Sequence, residues 1–136
     1  MKAVYFLLIV LVIAFLSCEK ENTSETFPLG LQNEFKINDV YHSTDNALKF
    51  KITEINDSRC PIDVECVWAG KADVKIRMES PVEESFVLST YNNSLYSSID
   101  TVGNYVFQLI DVSPYPISTR EIKLEEYKVI LKIEIL

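Results

Sequence analysis

From Asn33 onward the apolar positions of the chain recur at every second residue. Phe35 and Ile37 alternate with Lys36 and Asn38, and Leu48, Phe50 and Ile52 with Lys49, Lys51 and Thr53. Val74, Ile76 and Met78 alternate with Lys75 and Arg77, and Tyr105, Phe107 and Leu109 share a face. A last run places Tyr127, Val129, Leu131, Ile133 and Ile135 opposite Lys128, Lys132 and Glu134. A period of two puts one side of a strand in a core and the other in water. A helical stripe would need apolar residues three and four apart, and no segment after the first thirty residues sustains that spacing. Turn-forming clusters separate the runs: Ser43-Thr44-Asp45-Asn46, Asn56-Asp57-Ser58, Tyr91-Asn92-Asn93-Ser94 and Ser113-Pro114-Tyr115-Pro116. About six to eight short strands at this spacing predict an all-β domain over residues 32–136. An antiparallel β-sandwich of immunoglobulin-like topology is the first expectation and a small closed β-barrel the second. Tyr127, after Leu124-Glu125-Glu126, reads as a tyrosine at the start of a strand rather than as a tyrosine corner.

The N-terminus has another pattern. Met1-Lys2 is followed by fourteen uncharged apolar or aromatic residues, Ala3 to Leu16. A membrane-spanning helix needs roughly 20 such residues, whereas a secretory signal peptide has this length and this positive start. Ser17 closes the run and Cys18 follows it. Phe15-Leu16-Ser17-Cys18 resembles the signal-peptide ending of a bacterial lipoprotein, with Phe at the place where Leu is usual. That resemblance implies removal of residues 1–17 and diacylation of the Cys18 thiol. Two or more acyl chains make attachment stable, since each buried methylene contributes about 0.8 kcal/mol. Residues 18–31 then read as the acylated cysteine and a flexible polar tether. Glu19-Lys20-Glu21 partly resembles the surface-export signal of some Bacteroidota lipoproteins. The expected location is the outer membrane, lipid-anchored, on the periplasmic face or the cell surface.

Composition narrows the partners. A chain of 136 residues holds one domain. Thirteen basic against twenty acidic residues give a net charge of −7, and loss of the one lysine in the leader takes it to −8. Such a surface repels phosphates, which excludes a nucleic-acid partner and leaves membrane attachment to the acyl chains. Hydrophobic residues make up 48% of the chain, which excludes general disorder.

Cys60 and Cys66 enclose Pro61-Ile62-Asp63-Val64-Glu65. With Cys18 acylated, two thiols remain in an oxidising compartment, and a disulfide is expected. Closing so short a loop adds about 2 kcal/mol in the chain-entropy model. Around it stand Asp57-Ser58-Arg59-Cys60-Pro61 and Val64-Glu65-Cys66-Val67-Trp68-Ala69-Gly70. These residues resemble a family of small bacterial lipoproteins and secreted proteins of Bacteroidota type. That family carries Asp-Ser-Arg-Cys-Pro, four residues, Cys, one residue and Trp-Ala-Gly. The similarity covers about residues 33–136 and implies an envelope location without implying an activity. On a strand, Trp68 and Cys66 would share a face, so the indole is expected over the disulfide. Arg59 is within reach of Asp57, Asp63 or loop carbonyls, and Gly70 suits a close backbone approach or a bulge. A stiff loop at one end of a sandwich is also a recognition surface, with Asp57, Arg59, Pro61, Asp63 and Trp68 as its candidate residues.

Catalytic and metal signals are weak. Zinc held by Cys60, Cys66 and His42 lacks a fourth ligand and needs free thiols. Five residues between the cysteines do not suit redox exchange, which commonly uses two. Asp57, Asp63 and Glu65 lack calcium-loop spacing, and no Gly-x-Ser-x-Gly elbow accompanies the sole histidine, His42. No catalytic residue, metal ligand or cofactor is therefore assigned. Asp100-Thr101-Val102 resembles the short O-glycosylation acceptor of some Bacteroidota, with Thr101 as the acceptor. The expected function is a lipid-anchored, non-catalytic binding or accessory module for an envelope protein or glycan. One alternative is a small hydrolase or metal-dependent enzyme built on His42 or the acidic loop. The other is a protease inhibitor presenting the Cys60–Cys66 loop.

Overall fold

The structure is a computed structural model and describes residues 24–136. The leader at 1–17, Cys18 and the first part of the tether lie outside the described residues. Nine strands form two sheets: β1 (Ser24–Phe27), β2 (Gln32–Phe35), β3 (Val40–Ser43), β4 (Lys49–Asp57), β5 (Ala72–Ser80), β6 (Glu84–Ser89), β7 (Ile99–Val102), β8 (Tyr105–Ser113) and β9 (Lys128–Ile135). One sheet has the order β1-β3-β4-β5-β6 and the other β2-β9-β8-β7. The sandwich is thus the architecture, and the sheets do not close into a barrel. Connectivity within it is that of two meanders, β3 to β6 and β7 to β9, where immunoglobulin order interleaves early and late strands. The first strand corrects the tether boundary. Ser24–Phe27 pairs in parallel with β3 and buries Phe27, so the folded part begins at or before Ser24.

Alternation built the core as expected. Phe50 and Ile52 of β4, Val74, Ile76 and Met78 of β5, Phe107 of β8 and Val129, Leu131 and Ile133 of β9 are all buried. Aromatic edges link the two layers. The Phe50 ring lies 5.1 Å from Phe35 and 5.7 Å from Phe107, and Phe86 lies 4.9 Å from Phe107. Such contacts add about 0.5–1.5 kcal/mol per pair beyond the area they bury. Tyr41 closes this cluster, its ring 4.7 Å from Phe35 and its hydroxyl accepting from the Lys36 amide at 2.7 Å. Burial raises the Tyr41 phenol to about 12. Ile135 leaves the pattern and is exposed where the last strand runs out.

Two bulges set up the functional end. Opposite β5 the register slips between Ile52 and Glu54, and opposite β9 it slips between Leu109 and Asp111. One extra residue, Thr53 or Ile110, reverses the phase of everything after it. Ile55 and Val112 therefore face the core, and the Asp57 side chain turns inward with them. Asn56 and Asp57 were expected in a turn, and both belong to β4 instead.

Candidate functional site

The bulged ends of β4 and β8 meet at Arg59. Its guanidinium reaches Asp57 twice, Nε to Oδ1 at 2.8 Å and Nη2 to Oδ2 at 2.6 Å. It also donates across the sandwich to the carbonyls of Val112 at 2.7 Å and Pro114 at 3.1 Å. The Tyr115 ring lies beneath it, 4.4 Å from Cζ. Asp57 further accepts the Arg59 amide at 3.1 Å and the Tyr127 hydroxyl at 3.2 Å. All four lone-pair positions of the carboxylate are then engaged. Burial pushes the Asp57 carboxyl up, and the Arg59 bonds and charge outweigh it, holding the group below the usual carboxylate range. Burial and the adjacent Asp57 charge raise the Tyr127 phenol. Tyr127 is thus a cross-sheet anchor bonded to a side chain.

The clamp orders the loop that follows it. The Cys60–Cys66 disulfide forms, with Cα atoms 5.9 Å apart. Cys60 donates its amide to Ala69 O and Ser58 to Lys71 O, both at 2.8 Å. Gly70, at φ +68°, makes that approach possible, since a Cβ there would stand 1.9 Å from Ser58 O. Asp63 does not meet Arg59. It accepts from the Ser118 amide at 2.8 Å and hydroxyl at 2.6 Å, bonds that hold its carboxyl below its ordinary value. Ile62 and Asp63 form a turn, and the Ile62 amide donates to Pro116 O, so the loop presents no extended segment for a protease cleft to pair with.

Of the five candidate recognition residues, Asp57 and Arg59 have their side chains buried in the clamp, with Arg59 at the wall of a surface trough. Pro61 is half-buried, and Asp63 is exposed but bonded to Ser118. Trp68 departs most from expectation. Residues 66–70 form no strand, so the indole has no sheet to hold it over the disulfide and remains 81% exposed. Val67 beside it is 88% exposed.

Residues the sequence did not single out gather next to Trp68. Tyr91 and Tyr96, both exposed, come from the β6–β7 loop and line a trough of about 490 Å³ with Trp68, Gly70 and Lys71. Asn93 Oδ1 orders that loop by accepting the amides of Leu95 at 2.7 Å and Tyr96 at 2.9 Å. Asn92 pairs with Ser98 through two more bonds, at 2.6 and 3.0 Å. The Lys71 ammonium sits 3.8 Å from the centre of the Tyr96 ring and is ion-paired with Asp73. A second trough of about 480 Å³ adjoins the first, sharing Ala69, Gly70 and Tyr91, and is lined by Thr90, Asn92, Ser98 and Asp111. The turn cluster Tyr91-Asn92-Asn93-Ser94 was the available signal, legible as a loop but not as a wall of a groove.

The enzymatic alternatives gain no geometry. His42 lies on the outer face of β3, level with Thr26 of β1 and Lys49 of β4. Among the described residues no group of three or more His, Cys, Asp or Glu side chains is placed to hold a metal ion. Thr101 is exposed on β7, an edge strand. No described helix is long and apolar enough to cross a membrane. Comparison of the chain with protein-family models, curated proteins and solved structures finds no match.

Proposed function

We propose that the chain is a lipid-anchored, non-catalytic binding module of the bacterial envelope, and that the stapled end of its sandwich is the binding surface. The observation that carries this reading is the state of Trp68. The chain's only tryptophan is held almost wholly in water on a loop pinned by a disulfide, a buried arginine and a glycine contact. Exposed apolar side chains on a stiff loop offer contact area on a backbone already ordered before a partner arrives, which is what a binding surface needs. Acylation of Cys18, implied by the leader, supplies the anchor. With β1 starting at Ser24 the stretch between anchor and fold is shorter than expected, and residues 19–23 can still span about 18 Å when extended, enough for the domain to stand off the headgroups.

Intact cells test both halves. A photo-crosslinking residue at Val67 should capture an envelope component, and Trp68→Ala should abolish the adduct. A fatty-acid label should reach the wild type and not Cys18→Ala. Equal capture from a control position at Glu54 on the outer sheet face would refute the surface, and a label that persists in Cys18→Ala would refute the anchor.

A further inference from the structure

Resting on that reading and deepening it, we propose that the twin trough at the stapled end is a site for a neutral oligosaccharide. Trp68, Tyr91 and Tyr96 give one half an aromatic lining, and Thr90, Asn92, Ser98 and Asp111 give the other half polar groups beside Ile110 and Tyr115. A pyranose ring has the same division: a face of C–H groups that rests on aromatic rings, and a rim of hydroxyls that exchanges hydrogen bonds with amide, hydroxyl and carboxylate groups. The two volumes share Ala69, Gly70 and Tyr91 as walls and both open to solvent, which suits successive units of a chain more than one enclosed small molecule.

Charge selects among saccharides. The single cation of the aromatic half, Lys71, is already neutralised by Asp73 and covered by the Tyr96 ring. Asp111 is the one acid lining the polar half, and Arg59 beside it is committed to Asp57. An anionic sugar finds no free counter-charge there, and the net charge of the chain opposes it. An extended peptide would pair through backbone groups, and amides beside the trough are already bonded, Ser58 N to Lys71 O and Thr90 N to Ala72 O.

The mature acylated protein, in a zwitterionic detergent free of sugar groups, would be presented with arrayed neutral hexasaccharides, their uronic-acid counterparts and a random decapeptide library. Expected is saturable binding of at least one neutral hexasaccharide with a blue shift of Trp68 emission. Trp68→Ala and Tyr91→Ala should each weaken it about tenfold or more, Trp68→Phe should restore part of it, and Glu54→Ala should leave it unchanged. Because the Trp68 and Tyr91 side chains are exposed, the melting temperatures of these variants should match the wild type, which separates lost binding from lost folding. Absence of neutral-saccharide binding, or binding indifferent to Trp68 and Tyr91, would overturn the proposal. Binding of peptides alone would overturn the saccharide class while leaving the binding surface itself standing, since crosslinking from Val67 would still depend on Trp68.

Discussion

Arg59→Met leaves the Asp57 carboxylate in place with its strongest partners gone. The Asp57 side chain is 4% accessible, and the substitution removes the Nε and Nη2 donors while orphaning the carbonyls of Val112 and Pro114. Breaking a buried pair from one side costs about 3–5 kcal/mol, because a desolvated charge remains uncompensated. A domain of this size is stable by roughly 5–15 kcal/mol, so the loss is a large fraction of the whole. Asp57→Asn keeps an acceptor for the guanidinium and the tyrosine but loses the charge, and should cost less. With both substitutions no unpaired charge is buried, so the double variant should be more stable than the sum of the single losses implies, by about 2 kcal/mol.

Urea unfolding of the full chain, made unacylated by Cys18→Ala in every variant, reads these differences directly. Titration supplies an independent check. In the wild type the folded Asp57 pKa is depressed, so its contribution is present above the unfolded value of about 3.9 and is lost as pH falls through the lower folded value. In Arg59→Met the guanidinium's bonds and charge are gone while burial, the residue-59 amide and the Tyr127 hydroxyl remain, so the folded pKa rises above its wild-type position and the cost of the buried charge is relieved as falling pH protonates the carboxyl. The gap between wild type and variant should therefore narrow from pH 7 to pH 4. Additive losses within about 0.5 kcal/mol, or a gap constant over that range, would refute the clamp.

Three further outcomes follow from the packing. Gly70→Ala should destabilise far more than Gly30→Ala: both glycines are left-handed, an arrangement costing an L-residue about 1–2 kcal/mol, but only Gly70 would also drive a Cβ into backbone, so equal melting shifts would deny the close approach. Cys60→Ser should lower the melting temperature by several degrees, as about 2 kcal/mol of loop-closure entropy returns to the unfolded chain, and an unchanged midpoint would deny the staple's contribution. In alkaline titration followed by ultraviolet absorbance, Tyr41 should ionise near 12. Its contribution to stability is full below the unfolded value of about 10 and fades as pH rises towards 12, and early ionisation of every tyrosine in the folded protein would contradict its burial.

Alternation made β4, β5, β8 and β9 legible because each carries several large apolar residues on one face. The short strands were not. Ser24-Glu25-Thr26-Phe27 buries only its phenylalanine, so its polar residues read as tether although the backbone pairs with β3. Val40–Ser43 buries Ser43, whose hydroxyl is satisfied by the Leu48 amide and Asp45, a position that no hydrophobic pattern marks. The bulges at Thr53 and Ile110 were invisible for a deeper reason. A single extra residue changes no composition, yet it reverses which side chains face inward, and Asp57 moved from an expected turn into the core. The Trp68 error has a similar origin: placing it over the disulfide assumed a strand after Cys66, and residues 66–70 form none.

The same geometry separates the residues that hold this end together from those with capacity left for a partner. Asp57 has every lone pair engaged, Arg59 is spread over a carboxylate, two carbonyls and a ring, and Asp63 is committed to Ser118. Asp57, with all four positions filled, has neither a free proton site near neutral pH nor a free acceptor, which makes it a poor candidate for acid–base chemistry or for recognition. Trp68, Tyr91 and Tyr96 stand the other way. Trp68 stays largely in water and the two tyrosines partly so, while the clamp, the disulfide and the Asn92 and Asn93 side chains fix the loops that carry them. Ordering a side chain at an interface costs about 0.5–1.5 kcal/mol, and here much of the backbone ordering is already met during folding by the clamp, the disulfide and the asparagine bonds. The Asp-Ser-Arg-Cys-Pro segment serves the site by position, and the aromatic residues beyond it supply the contact.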